Sequence, residues 1–136
     1  MPITIADIMS TRVVTVDMDD RLTVAKEIFE QVKFHHLLVM EDKQLAGILS
    51  ERDLLRAISP HIGTNAETAK DIDTLHKRMH QVMTRHPITA SPQTRLDEAS
   101  RQLLEHNIGC LPVLENGQLK GIVTWKDLLR AYCDTR

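Results

Sequence analysis

The chain of 136 residues has room for one ordinary domain or for two small lobes sharing a core. Its formal charge of −2 comes without any long run of Lys or Arg, which argues against nucleic acid as a partner, because phosphate backbones call for a concentrated basic stripe. No apolar run reaches membrane-spanning length and Met1-Pro2-Ile3-Thr4 leads directly into folded-looking sequence, so neither a signal peptide nor a membrane partner is expected.

Thr4 is placed to cap a short helix over Ile5-Ala6-Asp7-Ile8-Met9. Arg12 to Val16 reads as a strand rich in β-branched residues. Asp17-Met18-Asp19-Asp20 is a turn whose carboxylates favour the N-terminus of the helix that follows. In that helix Ala25, Ile28, Phe29 and Val32 fall at i, i+3, i+4 and i+7. His36 to Met40 is a buried strand, Glu41-Asp42-Lys43 turns it back, Leu45 to Leu49 is its partner, and Glu51 to Ile58 closes the unit as a helix.

Ser59-Pro60 ends this unit, and a connector follows. From Ile72 the apolar spacing resumes through Leu75, Met79, Val82 and Met83, a helical period running into a second unit. Pro87-Ile88-Thr89-Ala90 predicts a strand, and Leu96, Ala99, Leu103 and Leu104 a helix face. Cys110 to Leu114 and Leu119 to Val123 predict a strand pair turned at Glu115-Asn116-Gly117, and Asp127 to Tyr132 a closing helix. The expected division is 1–59, a connector 60–78, and 79–136.

The two units are copies of one another. Gly47-Ile48-Leu49-Ser50-Glu51-Arg52-Asp53-Leu54-Leu55-Arg56-Ala57 returns as Gly121-Ile122-Val123-Thr124-Trp125-Lys126-Asp127-Leu128-Leu129-Arg130-Ala131, 74 residues on (121 − 47). The offset holds without a gap back to Met9 and Met83. A unit of about fifty residues struggles to bury enough surface alone. The expected fold is therefore α/β, two repeats related by a pseudo-twofold axis, each a small sheet with helices on one side, packed sheet to sheet with two equivalent clefts. Only Phe29, Phe34, Trp125 and Tyr132 are aromatic, so the core must be aliphatic. Cys110 and Cys133 form no C-x-x-C, which fits small hydrophobes in a reducing cytoplasmic setting better than a disulfide or zinc.

Ser50-x-x-Asp53 and Thr124-x-x-Asp127 each have the form of a capping box, a hydroxyl N-cap with an acid three residues later. The box favours Glu or Gln at that position, and both copies carry the shorter Asp. His76 and His80, at i, i+4, are the one good helical histidine pair; with no third ligand evident, a solvated face outweighs a metal site. Arg56 and Arg130, in the last turns of their helices, are accounted for by the helix C-termini.

From about Ile5 to Cys133 the chain resembles a tandem pair of CBS domains, the modules named after cystathionine β-synthase. The likeness rests on Asp7-Ile8-Met9 and Gln81-Val82-Met83, on the two Gly-x-x-[Ser/Thr]-x-x-Asp-Leu stretches, and on Cys110-Leu111-Pro112-Val113, in constant order and at constant offset. The resemblance implies a free-standing regulatory module that binds an adenosine ligand (AMP, ADP, ATP or S-adenosylmethionine) reversibly, with no covalent cofactor. It implies that Asp53 and Asp127 hold ribose hydroxyls and that Ser50 and Thr124 assist at the ribose or phosphate. Thr15-Val16 and Thr89-Ala90 would frame the base with backbone groups. The positions that reach phosphates are His35 and His36 in the first repeat, and Gly109 and Cys110 in the second. Two residues depart from the family pattern: Leu38 stands where proline is preferred, and Glu51 places an acid beside the first site.

Each of these roles has a plainer counterpart. Asp53 and Asp127 serve as caps or grip a vicinal diol, as carboxylates do in dinucleotide sites. His35 and His36 face opposite sides of a strand, so at most one is expected at a phosphate, His36 ahead. Arg52 and Lys126 are surface charges, or cations placed for a phosphate beside the ribose acid. Trp125 is a dimer contact or the edge of the second site. Nothing resembles a nucleophile with its base or a glycine-rich phosphate loop, so an enzyme is not expected. A homodimer and a regulated protein partner are expected, and the second reading is a dimerisation module with empty clefts.

Overall fold

A computed structural model describes residues 3–134. In chain order its elements are α1 (Ile5–Ile8), β1 (Thr15–Asp17), α2 (Leu22–Gln31), β2 (His36–Glu41), β3 (Gln44–Ser50) and α3 (Glu51–Ala57). There follow α4 (Ala69–Asp73), a 3-10 turn (Thr74–His76), α5 (Met79–Val82) and β4 (Thr84–Arg85). The chain closes with α6 (Leu96–His106), β5 (Cys110–Glu115), β6 (Gln118–Thr124) and α7 (Trp125–Asp134). The class is mixed α/β with two repeats, as the sequence predicts. Two compact units result: Val14–His86 is one, and the other joins the chain up to Val13 with the chain from Pro87 onward.

In the Val14–His86 unit the sheet order is β1-β2-β3-β4, with β1 parallel to β2 and the other pairs antiparallel. The middle strand β2 is fully buried at Leu37, Leu38 and Val39, which is why it reads as an unbroken apolar run rather than an alternating one. Leu37, Val39 and Leu49 from the sheet meet Leu22 and Ala25 of α2, Leu54 of α3, and Met79 and Met83. The buried residues are aliphatic side chains, Met and Cys, as the shortage of aromatics requires.

The other unit is built the same way. β5 and β6 pair antiparallel, and their turn places Asn116 at φ 54° and Gly117 at φ 78°, the left-handed pair that a two-residue hairpin demands. Ala90 bridges Val113 in parallel and Ser10 bridges Ile122 antiparallel, at the positions that Val16–Val39 and Thr84–Ile48 occupy 74 residues away. Thr4–Arg95 and Arg21–Arg78 match in the same way. The core gathers Ile5, Leu96, Ala99, Leu103, Leu111, Val113, Val123, Leu128 and Ala131. Each compact unit therefore takes its leading helix and outer strand position from the start of the opposite sequence repeat: α5 and β4 complete the first, α1 and Ser10 the second.

Two expected elements take another form. Residues 87–90 do not make a strand; a single bridge at Ala90 remains. In the first repeat β1 is held on either side by Leu38 N–H to Val14 O at 3.0 Å and Met18 N–H to Met40 O at 2.9 Å. Pro112 and Pro92 stand at the equivalent donor positions and have no N–H, so both bonds are lost and only the Ala90 pair survives, at 3.0 and 2.9 Å. The helical period from Ile72 to Met83 is likewise not one helix. It breaks into α4, the 3-10 turn and α5, with Lys77 extended between the last two. Leu75 and Met79 are both buried there, so the apolar spacing is real, but the backbone between them turns.

Candidate functional site

In each unit the candidate site is the corner where the second strand of a hairpin becomes a helix. At the first corner Ser50 Oγ accepts the Asp53 N–H at 3.0 Å and Asp53 Oδ2 accepts the Ser50 N–H at 2.9 Å. At the second, Asp127 Oδ2 accepts from the Thr124 N–H at 2.9 Å and from its hydroxyl at 3.1 Å, and Thr124 Oγ1 accepts the Asp127 N–H at 3.3 Å. Both corners are complete capping boxes despite the short acid. Each box satisfies two donors that the helix start would otherwise orphan.

A second stitch ties the corner to the preceding strand. The Glu51 N–H donates to the His35 carbonyl at 2.9 Å, and the Trp125 N–H to the Gly109 carbonyl at 3.1 Å. This brings the expected phosphate positions beside the helix starts in both repeats. His35 meets the corner through its backbone, and its ring is exposed. His36 lies opposite Ser50 across the β2–β3 ladder and is half-buried. Burial, then the neighbouring His35, hold its pKa below the ordinary 6.5, against an upward pull from Asp53. Cys110 lies opposite Thr124 in the matching register, but is buried, and desolvation pushes its thiol up to about 12. It offers neither a charge nor a thiolate.

The two caps differ in what is left over. Oδ2 of Asp53 is committed, and no described side chain pairs with its Oδ1. Asp127 Oδ1 has Arg130 Nη1 at 3.8 Å. Sequence reasoning assigned Arg130 to the end of its helix. α7 runs on to Asp134, so Arg130 sits mid-helix, one turn from Asp127, at the i, i+3 spacing that signals such a pair. Arg52 and Lys126 are exposed on the first turns, and Lys126 Nζ lies 5.7 Å from the Trp125 ring centroid.

On the first strand Thr15 is exposed and Val16 buried; in the second repeat Thr89 is exposed and Ala90 half-buried. The Ala90 N–H and C=O are both taken by β5, which leaves Thr89 as the residue there with an open side chain. His76 and His80 do not share a helix: they stand on the 3-10 turn and α5, near Asp73 at 3.5 Å and Asp19 at 3.9 Å respectively. Among the described residues no three of His, Cys, Asp and Glu come together as a metal site, and no helix is long and apolar enough to cross a membrane.

The family model for the CBS domain matches twice, at residues 5–60 and 79–134. A CBS domain-containing protein of Dictyostelium discoideum is 34% identical over 132 residues, covering 95% of this chain and 90% of its own length. Among solved structures, CBSX2 in complex with AMP is 30% identical with a TM-score of 0.79, and the match covers 96% of each chain. The CBS domain pair of protein MJ0100, in complex with 5′-methylthioadenosine and S-adenosyl-L-methionine, is similar in fold, with a TM-score of 0.81 over the whole of both chains and 23% identity.

Proposed function

Because the chain belongs to the CBS domain family, as a tandem pair of its repeats, we propose that it is a non-catalytic regulatory module that binds an adenosine nucleotide at its two strand-to-helix corners. The observation that carries this reading is the division of labour within Asp53: one carboxylate oxygen caps the helix, and the other has no partner among the described residues. A ribose diol supplies donors to such an oxygen. Ser50 and Thr124, Thr15-Val16 and Thr89-Ala90, and His35, His36 and Cys110, as the family likeness implies, make up the rest of the proposed site together with Arg52 and Lys126. The AMP complex of CBSX2, similar over nearly the whole chain, supports adenosine as the ligand class. The module works in the cytoplasm as a homodimer and transmits ligand occupancy to a protein partner.

A specific observation favours a second reading. The caps alone explain both aspartates, and Leu55, Leu129 and Leu104 leave large apolar side chains 63%, 56% and 81% exposed. A dimerisation module with unoccupied corners would look the same. Melting curves with adenosine, AMP, ADP, ATP and S-adenosylmethionine separate the two. A ligand at a hundred times its Kd adds about 2.7 kcal/mol of stability, several degrees in Tm. A flat response across that panel overturns the nucleotide reading.

A further inference from the structure

The two corners share one backbone but not one charge. Position by position, Glu51, Arg52, Asp53 and Arg56 of the first answer to Trp125, Lys126, Asp127 and Arg130 of the second. The cations match and the ribose-type acids match; the difference is the Glu51 carboxylate against the Trp125 ring. Glu51 opens α3, its N–H on the His35 carbonyl at 2.9 Å, so the first corner carries a carboxylate on the same helix turn as Asp53, on a different side of the helix, and its charge acts on a bound anion through the field at the helix start rather than by contact. At the second corner Trp125 brings no charge in place of Glu51; Lys126 Nζ lies 5.7 Å from its ring centroid and Arg130 Nη1 is 3.8 Å from Asp127 Oδ1. His36 does not redress the balance at neutral pH, since burial keeps its imidazole uncharged there.

Resting on the nucleotide-binding reading above, we infer that the two corners sort ligands by charge, with Glu51 as the specificity-determining residue. The first corner takes an adenosine compound whose 5′ substituent is neutral or cationic and rejects polyphosphates. The second takes the phosphorylated nucleotide. Asp53, whose Oδ1 has no competing cation, supports the tighter grip on a ribose diol; at Asp127 a phosphate gains from the cations that already lie there. One chain then reads two chemically distinct adenosine pools.

The test uses calorimetric titration of the full chain at about pH 8, where an ordinary imidazole is neutral. Adenosine, S-adenosylmethionine and ATP are the probes. Asp127→Ala leaves only the first corner, and Asp53→Ala only the second; Asp→Asn, which keeps a capping oxygen, replaces either variant that melts early. In Asp127→Ala the neutral and cationic probes should bind at least about tenfold tighter than ATP, and adding Glu51→Gln should improve ATP about three- to tenfold without changing adenosine. In Asp53→Ala, ATP should be the preferred probe and Glu51→Gln should be silent. ATP preferred at the first corner, or a Glu51→Gln variant with unchanged ATP affinity there, overturns the charge-sorting inference while leaving nucleotide binding intact. If no probe binds the wild-type chain, the nucleotide reading itself falls, and the inference with it.

Discussion

Gly121 lies so close to Ser10 that a Cβ placed on it would meet the Ser10 carbonyl oxygen at 2.5 Å. Gly47 stands in the same relation to Thr84, whose carbonyl oxygen would be 2.7 Å away. Both glycines are needed for the space they leave, since they let the outer strand position approach β6 or β3. Gly121→Ala and Gly47→Ala should each destabilise the chain by about 1–3 kcal/mol, the range for overpacking against backbone that cannot step aside. Urea unfolding checks this. Gly117→Ala, at the exposed hairpin turn, makes a useful contrast: the added Cβ meets no atom within 4 Å, so any loss there comes from φ 78° alone.

Asp53→Glu and Asp127→Glu separate capping from ligand binding. Each keeps an acid at the third helical position, where Glu is itself a favoured capping-box residue, so melting should change little. The longer arm displaces the second oxygen from a ribose. Hydrogen bonds to a charged group contribute ~1.5–3 kcal/mol, so affinity for adenosine at the Asp53 corner and for AMP at the Asp127 corner should fall roughly 10- to 100-fold. Binding unchanged in both variants would falsify the ribose role.

His36 should make both stability and binding depend on pH. Its folded pKa is depressed below the unfolded value near 6.5, chiefly by burial and then by His35, so the folded chain binds fewer protons than the unfolded one. Stability is therefore full above about pH 6.5 and is lost as pH falls through the folded pKa. His36→Gln should flatten that acid limb in urea midpoints taken between about pH 5 and about pH 8. A bound phosphate would pull the pKa back up, so the weak ATP binding left to the first corner in Asp127→Ala should strengthen on acidification more than it does once His36→Gln is added. The ligand's own phosphate titration near pH ~6 is common to both proteins and drops out of their difference, and adenosine, without a phosphate, should show no His36-dependent gain. Identical slopes for all proteins would make His36 a bystander.

The exposed leucines at matching positions, Leu55 and Leu129, predict self-association. Sedimentation at micromolar concentration should return twice the mass of one chain. Leu55→Glu and Leu129→Glu should shift the protein towards monomer, with monomer stability altered by no more than ~0.5 kcal/mol, because neither side chain is core. A wild-type chain that sediments as a monomer overturns the homodimer.

The repeat and its 74-residue offset can be read off by setting the two halves of the sequence side by side, and both capping boxes and the Asn116-Gly117 hairpin are local, set by residues a few positions apart, so the sequence alone determined them. The buried strands followed from the same short-range apolar pattern. Tertiary structure decided three things. The segments opening with Ile5 and Met79 carry the same spacing, and nothing local tells which sheet they complete; burial of Met79 among Leu22, Leu37 and Leu54, and of Ile5 among Leu96 and Leu111, assigns them to the opposite repeat. The strand expected at 87–90 failed because the two positions whose N–H groups would hold it, 112 on β5 and 92 just beyond the segment, are both prolines, and a strand's existence depends on such donors as much as on its own side chains. The inequality of the corners likewise arose through space. His36 owes its depressed pKa chiefly to burial across from Ser50, and Arg130 comes within 3.8 Å of Asp127 while Arg56, at the same spacing in α3, makes no such pair with Asp53; neither desolvation nor side-chain placement is written in the residues of the motif itself.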